Sequence, residues 1–378
     1  MNEKIIFWWP DSIFLDVHWK KDPGSIPIEL KLLGYDVNLV VGKFNSNIRY
    51  NGINVIETSK VADQETINTF KNRITGLLTM LKIVHKYDPK SVIIEHSEFE
   101  AILFAALLKL YTKFTLKFYP SLILKLDVDP DNVNPIDNRF IETSYRYIFT
   151  RLFDRIVCES ECAYDELIKP NLIQQYKDKY IIVPNGFFNN KEHEKNVNVQ
   201  KRNIILSVGR IHPQKGHDIL ISIFSKLAEK FPDWELRIVG SSDDKTYMNI
   251  LKKQINDLNL NKSIKLITDL SDEDLIIEYK QASIFALLSR SEGSSISRIE
   301  AINYALPIVI TEAGCGTHYK KFDSLVCNIN DEECLIKSLC KLISNPDLRN
   351  EISERQKGAI LSWHDVALEF AKLIENKE

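Results

Sequence analysis

From residue 203 onward, short β-branched and aliphatic runs, NIILSVG, ELRIVGS, SIKLIT, SIFALLS and LPIVIT, are each followed by a longer stretch with helical periodicity. Apolar runs of strand length alternating with amphipathic helices predict a parallel sheet with crossover helices. In HDILISIFSKLAEKF, Leu220, Phe224, Leu227 and Phe231 fall on one helical face and Lys226, Glu229 and Lys230 on the other. This helix is expected to lay its apolar face on the sheet.

The first half repeats the texture less cleanly. Strands are expected in KIIFWW, YDVNLVVG, SVIIEH, SLILKLD, RIVCES and YIIVPNG, and helices in PIELKLLGY, INTFKNRITGLLTMLKIVHKY and EFEAILFAALLKLYTKF. The polar stretch FFNNKEHEKNVNVQKR has no periodicity and reads as a linker. The domain expectation is therefore 1–188, a linker at 189–202, 203–360, and a terminal helical segment at 361–378. A chain of 378 residues exceeds what one core usually organises, which agrees with two α/β domains.

Charge adds little, because 49 basic residues stand against 52 acidic ones and nothing global favours nucleic acid. The cysteines at 158, 162, 315, 327, 334 and 340 include no C-x-x-C pair, so free structural thiols in a reducing cytosol are expected. The start, MNEKIIFWWPDS, is too short in apolar residues for a signal segment, and no later run approaches the roughly 20 apolar residues of a spanning helix. A cytoplasmic protein is the expectation.

Candidate chemistry collects at the carboxyl ends of the predicted strands, where open α/β sheets bind ligands. SVGRIHPQKG leaves its strand through Gly209 and presents Arg210 and Lys215, cations suited to a diphosphate. In SRSEGSSISRIEA, residues 289–301, Ser294 or Ser295 is positioned to cap a helix whose free amides near Ser295, Ile296 and Ser297 would attract phosphate. Glu292 precedes that helix and Glu300 lies within it, so the two carboxylates can bracket an anion and accept hydroxyl hydrogen bonds from sugars.

These residues resemble the retaining glycosyltransferases of family 4, which have the GT-B fold and an E-x7-E motif matched here by Glu292 and Glu300. The resemblance extends to SVGRIHPQKG, to IVPNG at 182–186, to ALPIVITEAGCG at 305–316 and to the helix around Trp363. It implies two Rossmann-like, doubly wound domains facing each other across a cleft, with the C-terminal helix crossing back to the first. It also implies that Arg210 and Lys215 neutralise the donor diphosphate, Glu300 holds the ribose, Glu292 contacts the transferred sugar and Gly240 lines the base pocket. Where relatives often have Phe-Gly-Leu after the first Glu-Gly, this chain has Ser294, Ser295 and Ile296.

On the acceptor side, the family's glycine loop after the first strand corresponds to Pro23-Gly24-Ser25. Asp127 takes the place of a histidine that contacts the transferred sugar, with Lys125 beside it. His96 and His18 also follow strands, each open to a structural or a functional role. Asp127-Val128-Asp129 has a second reading as a D-x-D metal motif. Against it stands the metal-free neutralisation offered by the second half.

Lys109, Lys113 and Lys117 recur every four residues among Leu110, Phe114 and Phe118, a pattern fitting either a solvated helix edge or peripheral contact of 107–120 with an anionic membrane face. The resemblance thus implies a metal-independent hexosyltransferase without cofactor, taking a UDP-, GDP- or ADP-sugar to a hydroxyl of a glycan, lipid-linked or small-molecule acceptor. Alternatives are a catalytically silent nucleotide-sugar-binding scaffold and a GT-B-like epimerase or phosphorylase. A dehydrogenase is disfavoured because no G-x-G-x-x-G follows the first strand of either half.

Overall fold

The computed structural model describes residues 3–50, 52–59, 69–96, 99–115, 119–127, 139–187, 199–242, 244–293 and 295–376. Among these, residues up to Phe187 together with those from Leu361 onward form one compact unit, and residues 199–360 form another.

The first unit is built on β1 (Lys4–Phe14), β2 (Asp36–Phe44), β3 (Asn54–Glu57), β4 (Ser91–Glu95), β5 (Ser121–Leu126), β6 (Arg155–Cys158) and β7 (Tyr180–Ile182). They form one parallel sheet in the order β3-β2-β1-β4-β5-β6-β7. The chain winds outward from β1 to β3 and returns to β1's other side with β4, which opens a crevice at the carboxyl ends of β1 and β4. Alternation along β1 supplies two cores. Ile6 and Trp8 pack with the helices Phe70–Tyr87, Phe99–Thr115 and Arg139–Leu152, and Ile5 and Phe7 pack with the helices Asp22–Leu32 and Trp363–Glu375.

The second unit repeats the plan with β8 (Ile204–Val208), β9 (Glu235–Val239), β10 (Ile264–Ile267), β11 (Ile284–Leu287), β12 (Ile308–Thr311) and β13 (Leu325–Cys327). Their order is β10-β9-β8-β11-β12-β13, again parallel throughout. The helix His217–Ala228 buries Leu220, Phe224 and Leu227 against this sheet, as its periodicity predicts. Because β8 and β11 are neighbours, the loops that follow them, 209–216 and 288–295, converge at one edge.

The terminal helix Trp363–Glu375 belongs to the first unit. Trp363, Val366, Ala367, Phe370, Ala371 and Ile374 form its buried stripe, and a capping box between Ser362 and Asp365 fixes its start. Tyr35 donates a 2.9 Å hydrogen bond to Glu375, and Phe187 and Ser362 form a parallel bridge.

Several expectations are corrected. Gly24 and Ser25 lie not in a loop but in the first turn of the helix Asp22–Leu32, where a Cβ on Gly24 would come within 2.5 Å of the His18 carbonyl oxygen and Trp19 Cα. Gly24 is therefore required for close packing of that turn. The short edge strands β3 and β13 were not legible, since neither is long enough to display a period. Cys327 and Cys334 are joined in a disulfide rather than free, while Cys158 and Cys340 are free thiols. The lysine stripe keeps Lys109 and Lys113 on the helix Phe99–Thr115, and Lys117 lies outside the described residues, as do Ser294, Asp129 and 188–198 of the linker region. Among the described residues, no helix is long and apolar enough to cross a membrane.

Candidate functional site

In the second unit, the two converging loops are braced against each other. Lys215 donates from Nζ to both carboxylate oxygens of Glu292, at 2.8 and 2.7 Å. Glu292, only 3% exposed, also accepts from Ser289 Oγ at 2.6 Å, and Thr311 Oγ1 donates to the Ser289 carbonyl at 2.7 Å. Arg290 donates to both oxygens of Asp218, at 2.9 and 2.7 Å, and to the carbonyl of Pro213 at 2.5 Å. Gln214 reaches the Ser291 carbonyl at 3.1 Å. Burial pulls the Asp218 carboxyl up, but hydrogen bonds from Arg290 and Tyr247 outweigh it and hold Asp218 below the usual carboxylate range.

The turn carrying Lys215 ends at Gly216, whose φ of 65° is a left-handed conformation that L side chains rarely adopt. Arg210 is exposed and borders a cavity of about 500 Å³ lined also by His212, Ser241, Asp244 and Lys245. Gly240 backs onto Gly209 so closely that a Cβ there would lie 2.0 Å from the Gly209 carbonyl oxygen. Gly240→Ala should therefore force the two loops apart and lower stability by about 1–3 kcal/mol. Urea denaturation checks this, and an unchanged midpoint would show that the loops part without cost.

Ser295 is the N-cap residue of the helix Ile296–Asn303, as expected, but its hydroxyl lies 3.2 Å from Ser297 Oγ and makes no cap hydrogen bond. At such a start, the amides of Ile296 and Ser297 have no carbonyl one turn back to bond. Glu300 accepts from Tyr279 OH at 2.8 Å. Tyr279 is 1% exposed and stacks on Tyr304, and burial together with the Glu300 charge raises its hydroxyl well above the usual tyrosine value.

In the first unit, the carboxyl ends of β4, β5 and β6 meet the start of the helix Asp22–Leu32 in a buried ionic cluster. Lys125, expected beside an acceptor, is instead 1% exposed, with Nζ 2.5 Å from Asp22 and 2.7 Å from Glu159. Glu95 lies 3.9 Å from the same nitrogen. Burial opposes the lysine's charge, but Asp22, Glu159 and Glu95 together hold its pKa well above the ordinary value. Burial pushes Glu159 up to about 8 against the pull of Lys125, and burial with the Asp22 charge drives Glu95 well above the carboxylate range. Asp22 is lowered, because Lys125 and a hydrogen bond with Glu95 overcome its burial. A neutral Glu95 donating to Asp22 satisfies this pattern.

Asp127 lies at the exposed end of β5, and His96 follows β4 with φ 70°. Burial, then Lys125, lowers the pKa of His96, and its amide donates to the Lys125 carbonyl at 2.9 Å. Burial, then Lys21, pushes His18 down to about 4. Among the described residues, no three His, Cys, Asp or Glu side chains lie where they could hold a metal ion.

Comparison with known proteins places this geometry. The model of the glycosyl transferases group 1 family matches residues 188–359, which contain both braced loops and the helix bearing Glu300. Over these residues, somewhat under half of the chain, the sequence is similar to the group 1 glycosyltransferases. An uncharacterized glycosyltransferase of Haemophilus influenzae is 30% identical over 244 residues, covering 63% of this chain and 64% of that protein. Mannosylfructose-phosphate synthase of Agrobacterium fabrum is 29% identical over 189 residues, 46% of this chain and 40% of the synthase. The matched stretches thus span less than two thirds of these relatives' own length.

Among solved structures, the lipopolysaccharide-biosynthesis glycosyltransferase WaaG matches with a TM-score of 0.70 at 14% identity, covering 99% of this chain and all of its own. Anabaena HepE, solved with UDP and glucose, matches with a TM-score of 0.70 at 14% identity over 100% of both chains. The fold of this chain is therefore GT-B. The residues that sequence reasoning missed are Ser289 and Tyr279, which bond Glu292 and Glu300, and Arg290 and Asp218, which tie the loop after β11 to the turn carrying Lys215. Ser289 and Arg290 both lie in the stretch 289–301 that carries Glu292 and Glu300.

Proposed function

We propose that this glycosyltransferase moves a hexosyl group from a nucleotide-diphosphate sugar to a hydroxyl of a glycan, lipid-linked or small-molecule acceptor, with retention at the anomeric carbon and without a metal. The observation that carries the reading is the Lys215–Glu292 pair, held by Ser289 beside the amides that open the Glu300 helix. A sugar and a diphosphate need a carboxylate and a cation side by side, and this edge supplies both. Mannosylfructose-phosphate synthase among the relatives and the UDP and glucose bound by HepE agree with such a donor.

In this reading, residues 203–360 bind the donor and 1–188 the acceptor, with 361–378 completing the acceptor domain. Arg210, Lys215 and the amides of Ile296 and Ser297 stabilise charge on the departing diphosphate, the kind of preorganised electrostatics that dominates many enzymatic rate enhancements. Gly209 and Gly240 line the nucleotide pocket, Glu292 orients the transferred sugar, and Glu300, aimed by Tyr279, accepts from the ribose. Asp127 and His96 serve the acceptor side. The bond from the anomeric carbon to the phosphate oxygen breaks, the acceptor oxygen takes that carbon on the same face, and its proton passes to the leaving phosphate. The protein acts in the cytoplasm, with peripheral membrane contact around 107–120.

Calorimetric titration with UDP, GDP and ADP in EDTA tests the donor site. One nucleotide should bind, and Glu300→Ala should weaken it about tenfold or more, since a charged hydrogen bond contributes about 1.5–3 kcal/mol. Unchanged affinity in that variant removes the ribose assignment. Binding that appears only with manganese overturns the metal-free reading.

A further inference from the structure

The helices Phe70–Tyr87 and Phe99–Thr115 pack side by side on the first unit and leave a cavity of about 710 Å³. Its walls are apolar, formed by Leu81, Val84, Pro89, Leu107, Leu108 and Pro120. Thr112 and the exposed Lys82, His85, Asp88 and Tyr111 complete the lining, and Tyr111 OH lies 3.1 Å from His85 Nδ1, linking the two helices. An apolar cavity of this size reached by solvent is a ligand site in form, because folding otherwise removes such surface from water.

Charge and exposure indicate what fills it. The helix Phe70–Tyr87 carries Lys71, Arg73, Lys82 and Lys86 and no acidic residue. The helix Phe99–Thr115 adds Lys109 and Lys113, and its one acid, Glu100, is taken by Arg73. Large apolar side chains stand exposed among these cations: Phe70 at 74%, Leu78 at 51%, Phe99 at 54% and Leu110 at 53%. Lysines interspersed with exposed apolar residues on amphipathic helices suit the boundary between headgroups and acyl chains.

We propose that this face docks on a bilayer containing anionic phospholipid and draws one acyl chain into the cavity, with Lys82 and Lys86, one helical turn apart, against the lipid phosphate. The proposal rests on the peripheral membrane contact proposed above, but its test needs neither donor nor acceptor, so its failure and that of the proposed transfer activity are distinguishable.

The test is co-sedimentation of the full chain with vesicles of phosphatidylglycerol and phosphatidylcholine, against vesicles of phosphatidylcholine alone. Binding should require the anionic lipid and weaken as salt is raised. Lys82→Glu with Lys86→Glu should lower the partition coefficient at least about tenfold, since each surface cation contributes about 1 kcal/mol near an anionic leaflet. Circular dichroism checks that this variant folds. Tyr111→Trp places a fluorophore on the cavity, and lipids brominated along the acyl chain should quench it, whereas lipids brominated at the headgroup should not. Equal binding to both vesicle types overturns the proposal. So does anionic binding without chain-dependent quenching, which would reduce the face to a charge contact.

Discussion

Lys215→Ala and Glu292→Ala are each expected to destabilise the second unit by about 3 kcal/mol, while Lys215→Met combined with Glu292→Leu recovers most of that loss. The side chains are 15% and 4% exposed and bond through both carboxylate oxygens, so removing either partner leaves the other desolvated and unpaired. Replacing both removes the uncompensated charge as well as the pair. Glu292→Ala has a further cost, because Ser289 loses the acceptor of its hydroxyl. Urea denaturation of the four proteins compares these losses, and single variants within about 0.5 kcal/mol of wild type would show a pair that solvent replaces freely. Nucleotide titration of the same set separates stability from function. The double variant should fold yet bind no nucleoside diphosphate, since both the cation and the carboxylate proposed to face the donor are gone.

Lys125→Met is the second large effect. It removes the counter-charge of Asp22, Glu95 and Glu159 in a site where all four residues are buried. The expected cost at neutral pH is about 4 kcal/mol, typical of a broken buried pair. Its pH dependence identifies the cause. A carboxyl whose folded pKa is raised binds more protons folded than unfolded, so its stabilising contribution is present below the unfolded value and is lost as pH rises through the folded value. For Glu159 that window runs from the ordinary 4.5 to about 8. Asp22, whose pKa is lowered by Lys125, has the opposite sign in the wild type and loses its contribution as pH falls below the ordinary 3.8. Without the lysine, all three carboxyls lie on the raised side, and the variant should be nearly wild type in mild acid and progressively unstable toward pH 8. Denaturation midpoints across that range check the slope, and a variant equally destabilised at every pH would locate the cost in packing alone.

Most of the sheet plan was legible because parallel strands are covered on both faces, so β4, β5, β8, β11 and β12 are buried along their length and appear as predominantly apolar runs. Glu292, Glu300, Arg210 and Lys215 were legible as types at strand ends. Their partnerships were not, because they join residues distant in sequence. Lys215 and Glu292 are 77 positions apart, and Lys125 and Asp22 are 103 apart. Each cation was therefore read as facing a substrate, whereas in the structure its first ligand is a carboxylate of its own unit. Gly24 misled for a related reason, since a glycine needed for a close backbone approach and one needed for a loop are the same letter.

The helix Trp363–Glu375 completes a core begun by Ile5 and Phe7, so the first unit is assembled from segments on either side of the second. During synthesis this imposes an order. The sheet that emerges first from the ribosome keeps the side bearing Ile5, Phe7 and Ile123 only partly covered while every residue of the second unit is being added. The second unit, contiguous in sequence, can close on itself meanwhile. The domain translated first is thus the one that finishes folding last, and a nascent chain stalled before Trp363 would offer chaperones and proteases an apolar strip that the finished protein never shows.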